Sequence, residues 1–236
     1  MNATAFFPHR RRTQAVLFGL LMFAVYLGSQ FLSVLVLQHL LSAAEFAALM
    51  RGYGFAVILG PSLLLMLAGF IAWRRWFSSQ PTLAGRLTWR DLVRGIGLVL
   101  LIQALAAVVS VWLEMAPEAF MTSLYAGKST LQSLIMVICV LIWAPFIEEL
   151  AFRHFLISRI DDQPRGWRPA LLIAFSALCF AGLHMLQYHH LLTFVALFCW
   201  GLVLGYYRWR TGGLLLPMLL HALISGIGLV GALNQA

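Results

Sequence analysis

The chain has 236 residues, 62% of them hydrophobic and only 10% charged, with 16 Lys and Arg against 8 Asp and Glu for a formal net charge of +8. Soluble domains average about 45–50% apolar and about 25% charged residues, so composition alone excludes an ordinary soluble fold. The positive balance does not point to nucleic acid, because the arginines are dispersed, with no basic stripe and no stacking platform.

Apolar residues fall in seven blocks, at about 15–41, 55–73, 95–113, 131–147, 170–184, 191–207 and 213–233. Crossing a hydrocarbon core of about 30 Å takes roughly 20 helical residues, a length that several blocks reach. A membrane barrel would show short alternating segments instead. The expected fold is therefore all-α, a polytopic transmembrane helical bundle of about seven spans within a single membrane domain, 1–236. Helices one to three form a front half, and helices four to seven a working half.

The first block follows Arg10, Arg11 and Arg12, and Ser42-Ala43-Ala44 resembles a cleavage region. Its apolar run is longer than the roughly 7–15 residues of a signal-peptide core, so an uncleaved first span is expected. The second block ends in Trp73-Arg74-Arg75-Trp76, the pattern of an interfacial anchor. With a cytoplasmic N-terminus, the inner side receives Arg10, Arg11, Arg12, Arg74, Arg75, Arg86, Arg90, Arg94, Arg153, Arg159, Arg165, Arg168, Arg208 and Arg210. The outer side keeps Arg51 and Lys128, a division of fourteen against two that accounts for all 16 basic residues. This asymmetry predicts a multi-pass protein of a bacterial inner membrane, N-terminus cytoplasmic and C-terminus outside. Cys139, Cys179 and Cys199 each sit inside an apolar block without a C-x-x-C pair, which points to packing and not to disulfides.

Ionisable groups inside a bilayer are costly and mark function by default. The first three blocks offer little beyond Gln30, Gln38, His39 and Gln103, mostly near span ends. The later ones differ. Glu148, Glu149 and Arg153 close the fourth, His184 closes the fifth and His221 lies within the seventh. Glu149 and Arg153 are four apart and share a helical face, with the acid on the N-terminal side. Glu148 is turned about 100° away, which leaves it free for chemistry. If helices four and five form a hairpin around Pro164, Glu148 lies sixteen residues before the turn and His184 twenty after it. The difference of four residues is about 6 Å along the axis, so the two share a level if the hairpin protrudes on the cytoplasmic side. Taken alone, Glu148 could equally sit among headgroups, and His184 at the outer interface beside Tyr188, His189 and His190. Pro145 and Pro217 each stand one turn before an ionisable residue, where a missing backbone hydrogen bond loosens the helix.

The ordered patterns E-E-x-x-x-R at Glu148, Glu149 and Arg153, F-x-x-x-H at Phe180 and His184, and H-x-x-x-(polar) at His221 and Ser225 resemble a known family. It is the CAAX-protease and bacteriocin-processing family, the CPBP or Abi group of intramembrane endopeptidases. The resemblance covers a catalytic core at about 131–229. It implies that Glu148 activates water together with His184, that Glu149 and Arg153 hold the shape of the site, and that His221 with Ser225 stabilises the oxyanion. The implied substrate is a membrane-associated or membrane-embedded peptide or protein, prenyl-protein-like or bacteriocin-like, met within the lipid bilayer. Family members usually carry Asn or Asp where this chain has Ser225, and loss of one oxyanion donor costs about 10²–10³ in rate.

Amide hydrolysis needs a base near water, donors for the oxyanion and an acid for the leaving amine, and one Glu and two His supply these roles. No cofactor is expected to be required. The alternative makes Glu148, His184 and His221 ligands of a divalent metal such as zinc, a metalloprotease arrangement of three protein ligands plus water. Against it stand the missing H-E-x-x-H and the scarcity of acidic residues within the spans to orient the histidines. Two non-proteolytic alternatives remain: a non-catalytic membrane immunity or scaffold protein, favoured by Ser225, and a transporter or proton pathway, disfavoured because the polar groups gather in one half.

Overall fold

The computed structural model describes residues 9–77, 83–157 and 166–233, and every regular element among them is a helix. Arg159, Arg165 and Pro164, the expected turn of the hairpin, lie outside the described residues, as do the side chains of Arg10, Arg11 and Arg12. In chain order the helices are α1 (His9–Leu40), α2 (Ala43–Phe77), α3 (Trp89–Trp112), a short α4 (Ala119–Ser123), α5 (Thr130–Ile138), α6 (Ala144–Glu148), α7 (Trp167–His184), α8 (Leu191–Thr211) and α9 (Leu215–Leu233). π-helical segments Cys139–Trp143 and Glu149–Phe155 join α5 and α6 into one continuous fourth span, Thr130–Phe155. Among the described residues, seven helices are long and apolar enough to cross a membrane. The protein is a multi-pass membrane helical bundle.

Helix ends follow local chemistry more than the apolar blocks do. Thr88 caps α3 by accepting the Asp91 amide, and Ser129 with Gln132 forms a reciprocal capping box at α5. Gly212, at φ +66°, closes α8 in the left-handed conformation that glycine adopts without penalty. α2 begins at Ala43, well before its apolar block, and Tyr53 breaks its helical geometry (φ −131°, ψ 15°) just where that block starts. The fourth span likewise continues past Ile147 through the charged motif, because its charges are turned into the bundle instead of marking a membrane edge.

The π segments have a visible origin in the first case. Pro145 has no N–H for the carbonyl one turn back, and its ring crowds that carbonyl. The helix answers by widening, so that the Ala144 amide reaches back five residues to the Cys139 carbonyl. Pro217 behaves differently from the expectation that it loosens the chain before His221. It lies in the first turn of α9, where its amide would have had no helical partner.

α7 and α8 pack along most of their length, α1 lies on α2 and on the segment Glu149–Phe155, and α3 packs on α8 and α9. The largest core cluster joins Phe152, Phe155 and Phe180 to Tyr26, Phe70 and Trp73. Outward faces are apolar, with Leu17, Phe31, Leu64, Val108 and Leu186 all more than half exposed, as lipid contact requires. Trp73 departs from the expected anchor: only Trp76 is exposed, while Trp73 is buried against Phe18, Phe77 and His154. Arg153 and Arg208 are also buried in the bundle, at 0% and 1% exposure. All three cysteines are free.

Two sets of contacts close the ends of the bundle. At one end the segment before α3 meets the α8–α9 turn. There the Leu83 carbonyl accepts the Leu214 and Leu215 amides at 2.9 and 2.8 Å, the Thr211 carbonyl accepts the Arg86 amide at 2.7 Å, and Arg210 pairs with Asp91 at 2.6 Å. At the other end Glu118, ahead of α4, binds the turn between α7 and α8.

The α7–α8 contact depends on Gly201, where a Cβ would stand 2.9 Å from the Cα of Ala177. Replacement by Leu forces the helices apart, and overpacking of this kind costs about 1–3 kcal/mol. Gly201→Leu should therefore lower the unfolding temperature of the detergent-solubilised protein, measured by tryptophan fluorescence. Gly97→Ala, with open space at its Cβ, should leave it unchanged.

Candidate active site

The junction between α6 and the second π segment places consecutive glutamates in different surroundings. Glu149 is fully buried, and its Oε1 lies 3.1 Å from Arg153 Nη1 and 2.9 Å from His221 Nδ1. Arg153 is fully buried too, its guanidinium 4.4 Å from the centre of the Phe180 ring. An isolated buried carboxylate is very costly, so this cluster stands or falls as a unit. Glu148, by contrast, keeps a side chain that is 11% exposed.

Glu148 Oε2 is 3.8 Å from His184 Nε2 and 3.7 Å from His221 Nε2, and it has no hydrogen-bond partner. The structure thus brings Glu148, His184 and His221 together, and Glu149 and Arg153 with each other directly behind them. Ser225 is half-buried one turn beyond His221 and takes no part in these hydrogen bonds.

The two histidines are held alike. His184 Nδ1 lies 2.8 Å from the Phe180 carbonyl and His221 Nδ1 2.9 Å from the Glu149 carboxylate. Both partners can only accept, so each Nδ1 carries a proton and donates it. In the neutral rings each Nε2 then presents a lone pair towards Glu148. Three acceptors converge on one small volume, which calls for a guest that brings hydrogens or positive charge.

That geometry also bears on a metal. A tetrahedral zinc with bonds of about 2.0–2.1 Å holds its ligand atoms roughly 3.3 Å apart, closer than the 3.7 and 3.8 Å found here. Among the described residues, no group of three or more His, Cys, Asp or Glu is arranged to hold a metal ion. The expected scarcity of partners to orient the histidines is not met, however, because the Phe180 carbonyl and Glu149 serve both rings.

Several participants escape sequence reasoning. Phe180 is the hub: its ring contacts His184 at 4.4 Å, His221 at 5.5 Å and Phe152 at 5.4 Å, besides Arg153. Only its fixed spacing before His184 hinted at it. Tyr26 of α1, buried against Phe152, brings the front half to the site. Tyr188 lies nearly parallel to His184, with centroids 6.3 Å apart.

Residues 130–227 match the family model described as type II CAAX prenyl endopeptidase Rce1-like. The chain is also 34% identical over 177 residues to an uncharacterized 24.3 kDa protein of Escherichia coli, an overlap covering 72% of this chain and 77% of the relative. The chain belongs to the Rce1-like family of CAAX endopeptidases. No solved structure matches it. The Rce1-like region contains all six motif residues, Glu148, Glu149, Arg153, His184, His221 and Ser225, whereas Tyr26 and Glu118 lie outside it. Contacts of this Rce1-like core with α1 and α4 are therefore additions from the rest of the chain.

The unequal burial of the two glutamates separates their mutational signatures. Arg153→Ala strands Glu149 in the interior, and breaking a buried pair in this way costs about 3–5 kcal/mol. It should lower the unfolding temperature and membrane abundance. Glu148→Gln and His184→Ala, at partly exposed side chains, should stay close to wild type in both measurements. Equal unfolding temperatures for all three variants would remove the structural role of the Glu149–Arg153 pair.

Proposed function

We propose that this protein is an intramembrane endopeptidase in which Glu148 and His184 activate water for attack on a peptide carbonyl. The observation that carries this function is the convergence of Glu148 Oε2 with two histidine Nε2 atoms of fixed tautomer. A water between Glu148 and His184 can donate a hydrogen bond to each, across a gap too long for them to bond directly. Glu148 takes one proton as the water oxygen bonds to the carbonyl carbon. It then delivers that proton to the leaving nitrogen as the C–N bond breaks.

His221 is the oxyanion donor in this scheme. Its Nδ1–H is committed to Glu149, so Nε2 donates to the oxyanion only when the ring is an imidazolium. Glu149 and Arg153 act behind it, holding the ring in place. Ser225 adds its hydroxyl, directly or through water, where the family pattern has Asn or Asp. The scheme as proposed uses no metal, and the 3.8 and 3.7 Å gaps from Glu148 Oε2 to the two Nε2 atoms suit a bridging water.

The substrate class is a membrane-associated peptide, either a prenylated C-terminus or a bacteriocin-like leader, reaching the site within the bilayer. We place the protein in a bacterial inner membrane with its N-terminus cytoplasmic, on the strength of the arginine asymmetry. A non-catalytic immunity or scaffold role keeps one specific support, the position of Ser225 outside the hydrogen-bonded cluster.

Two experiments test this. Membrane proteomes of cells carrying wild type or Glu148→Gln should differ by an uncleaved precursor in the variant, and the purified wild type should cleave an internally quenched farnesylated C-a-a-X peptide in the presence of a chelator. Identical proteomes would favour the scaffold role, and activity lost to chelation and restored by Zn²⁺ would make Glu148, His184 and His221 ligands. For topology, reporter fusions at Arg90 should show a cytoplasmic location and C-terminal fusions the outer side. Matching signals from both would contradict the orientation proposed.

A further inference from the structure

His184 is the last residue of α7, held from within the helix only by the Phe180 carbonyl and ring one turn back, with nothing of α7 beyond it. The chain then makes a tight turn through Met185–His190, in which the Gln187 and Tyr188 amides return to the His184 carbonyl at 2.9 and 3.0 Å. A turn at a helix end is easily frayed. This one is fastened from 71 residues away and more. Glu118 accepts the His189 amide through Oε2 and the His190 amide through Oε1, each at 3.0 Å, and the Thr193 hydroxyl through Oε1 at 2.7 Å; the His190 ring stands 4.0 Å from Oε2.

Two independent details show where Glu118 is directed. It occupies the cap position of α4 yet makes no side-chain hydrogen bond to its own helix. Burial alone would raise its carboxyl, but the Thr193 hydroxyl, the two amides and the His190 ring together hold it below the usual carboxylate range, so it is an anion here. The residues that follow Glu118 complete the fastening. Phe120 packs edge-on to Tyr188 at 5.2 Å, and the Tyr188 hydroxyl donates to the Met121 sulfur at 3.5 Å. Tyr188 in turn lies alongside His184.

Resting on the endopeptidase function proposed above, we propose that Glu118 is a positioning residue for His184. By gathering two amides and a hydroxyl of the turn, it holds Tyr188 against the imidazole so that Nε2 faces Glu148. Glu118 touches neither substrate nor reacting atoms, and its effect passes through the turn and the Tyr188 ring. The segment from Glu118 to Met121 thereby couples the α3–α5 connection to the chemistry.

The test uses the full chain in lipid nanodiscs, comparing wild type with Glu118→Ala, Glu118→Gln and Thr193→Val. Loss of charge-assisted hydrogen bonds in Glu118→Ala should speed amide hydrogen exchange over residues 185–190 by about tenfold or more, with the other helices unchanged. Diethyl pyrocarbonate should then modify His184 several-fold faster, roughly in step with the freed turn. On the farnesylated C-a-a-X peptide, kcat should fall by about tenfold with KM nearly constant, because misplacement of a catalytic group acts on the reacting geometry. Glu118→Gln, which keeps an accepting oxygen, should recover much of the loss, and Thr193→Val should add little to Glu118→Ala. Unchanged exchange and labelling in Glu118→Ala would overturn the proposal whether or not the peptide is cleaved. So would faster exchange with an unaltered kcat. A wild type that leaves the peptide intact would count against this substrate for the proposed function, while exchange and labelling still decide the role of Glu118.

Discussion

The carboxylate of Glu149 is the constraint around which the rest is arranged. It is wholly removed from solvent, so it must be compensated where it stands, by the charge of Arg153 on one side and a hydrogen bond from His221 on the other. Each partner carries the constraint further. Arg153 lies over the Phe180 ring and so fixes α7 against the fourth span, while His221 fixes α9. The geometry at Glu148 follows from that arrangement, since one histidine is oriented by Glu149 itself and the other by the carbonyl of Phe180. Adjacent glutamates thus divide the work: one is spent on holding three helices together, and the other is left without a hydrogen-bond partner on Oε2 at the point where they meet.

The second organising feature is the fastening of both ends of the bundle. α3 and α8 run antiparallel, with Asp91 paired to Arg210 at one end and Glu118 bound to the start of α8 at the other. Both contacts join connections that an alternating membrane topology puts on the same side. Between them the helices meet mostly through apolar side chains and small residues, as at Gly201, which suits a lipid surround where hydrophobicity gives no drive to association. Directional polar contacts thus close the two ends, and in the interior they gather at the Glu149 cluster.

Much of this was legible in the sequence, for reasons that can be named. The seven spans are written in hydropathy, and their number follows from it. The shared face of Glu149 and Arg153 follows from helical spacing, which needs no knowledge of packing, whereas the shared level of Glu148 and His184 rested also on a protruding hairpin whose turn lies outside the described residues. What failed needed that knowledge. Apolar blocks end at the first charge, so they misplace the end of the fourth span and the start of α2 and α3. The bond between His221 and Glu149 depends on how α9 is rotated against the fourth span, which no local pattern encodes. Phe180 enters the sequence only as the first residue of F-x-x-x-H and Trp73 only as half of an interfacial anchor, so the packing role of neither shows there, and the reach of Glu118 to His189 crosses 71 positions without a motif.

The stretch Glu149–Phe155 has one more consequence. All seven of its residues are buried, as are Ile147 and Glu148 before them, so this part of the span has no lipid-facing side at all. Elsewhere in the bundle, tolerance to substitution should rise and fall every three to four positions as the helix turns from neighbour to lipid. Here that rhythm disappears. A side chain at any of these nine consecutive positions meets a neighbour on every side, so the motif is constrained by packing as much as by chemistry.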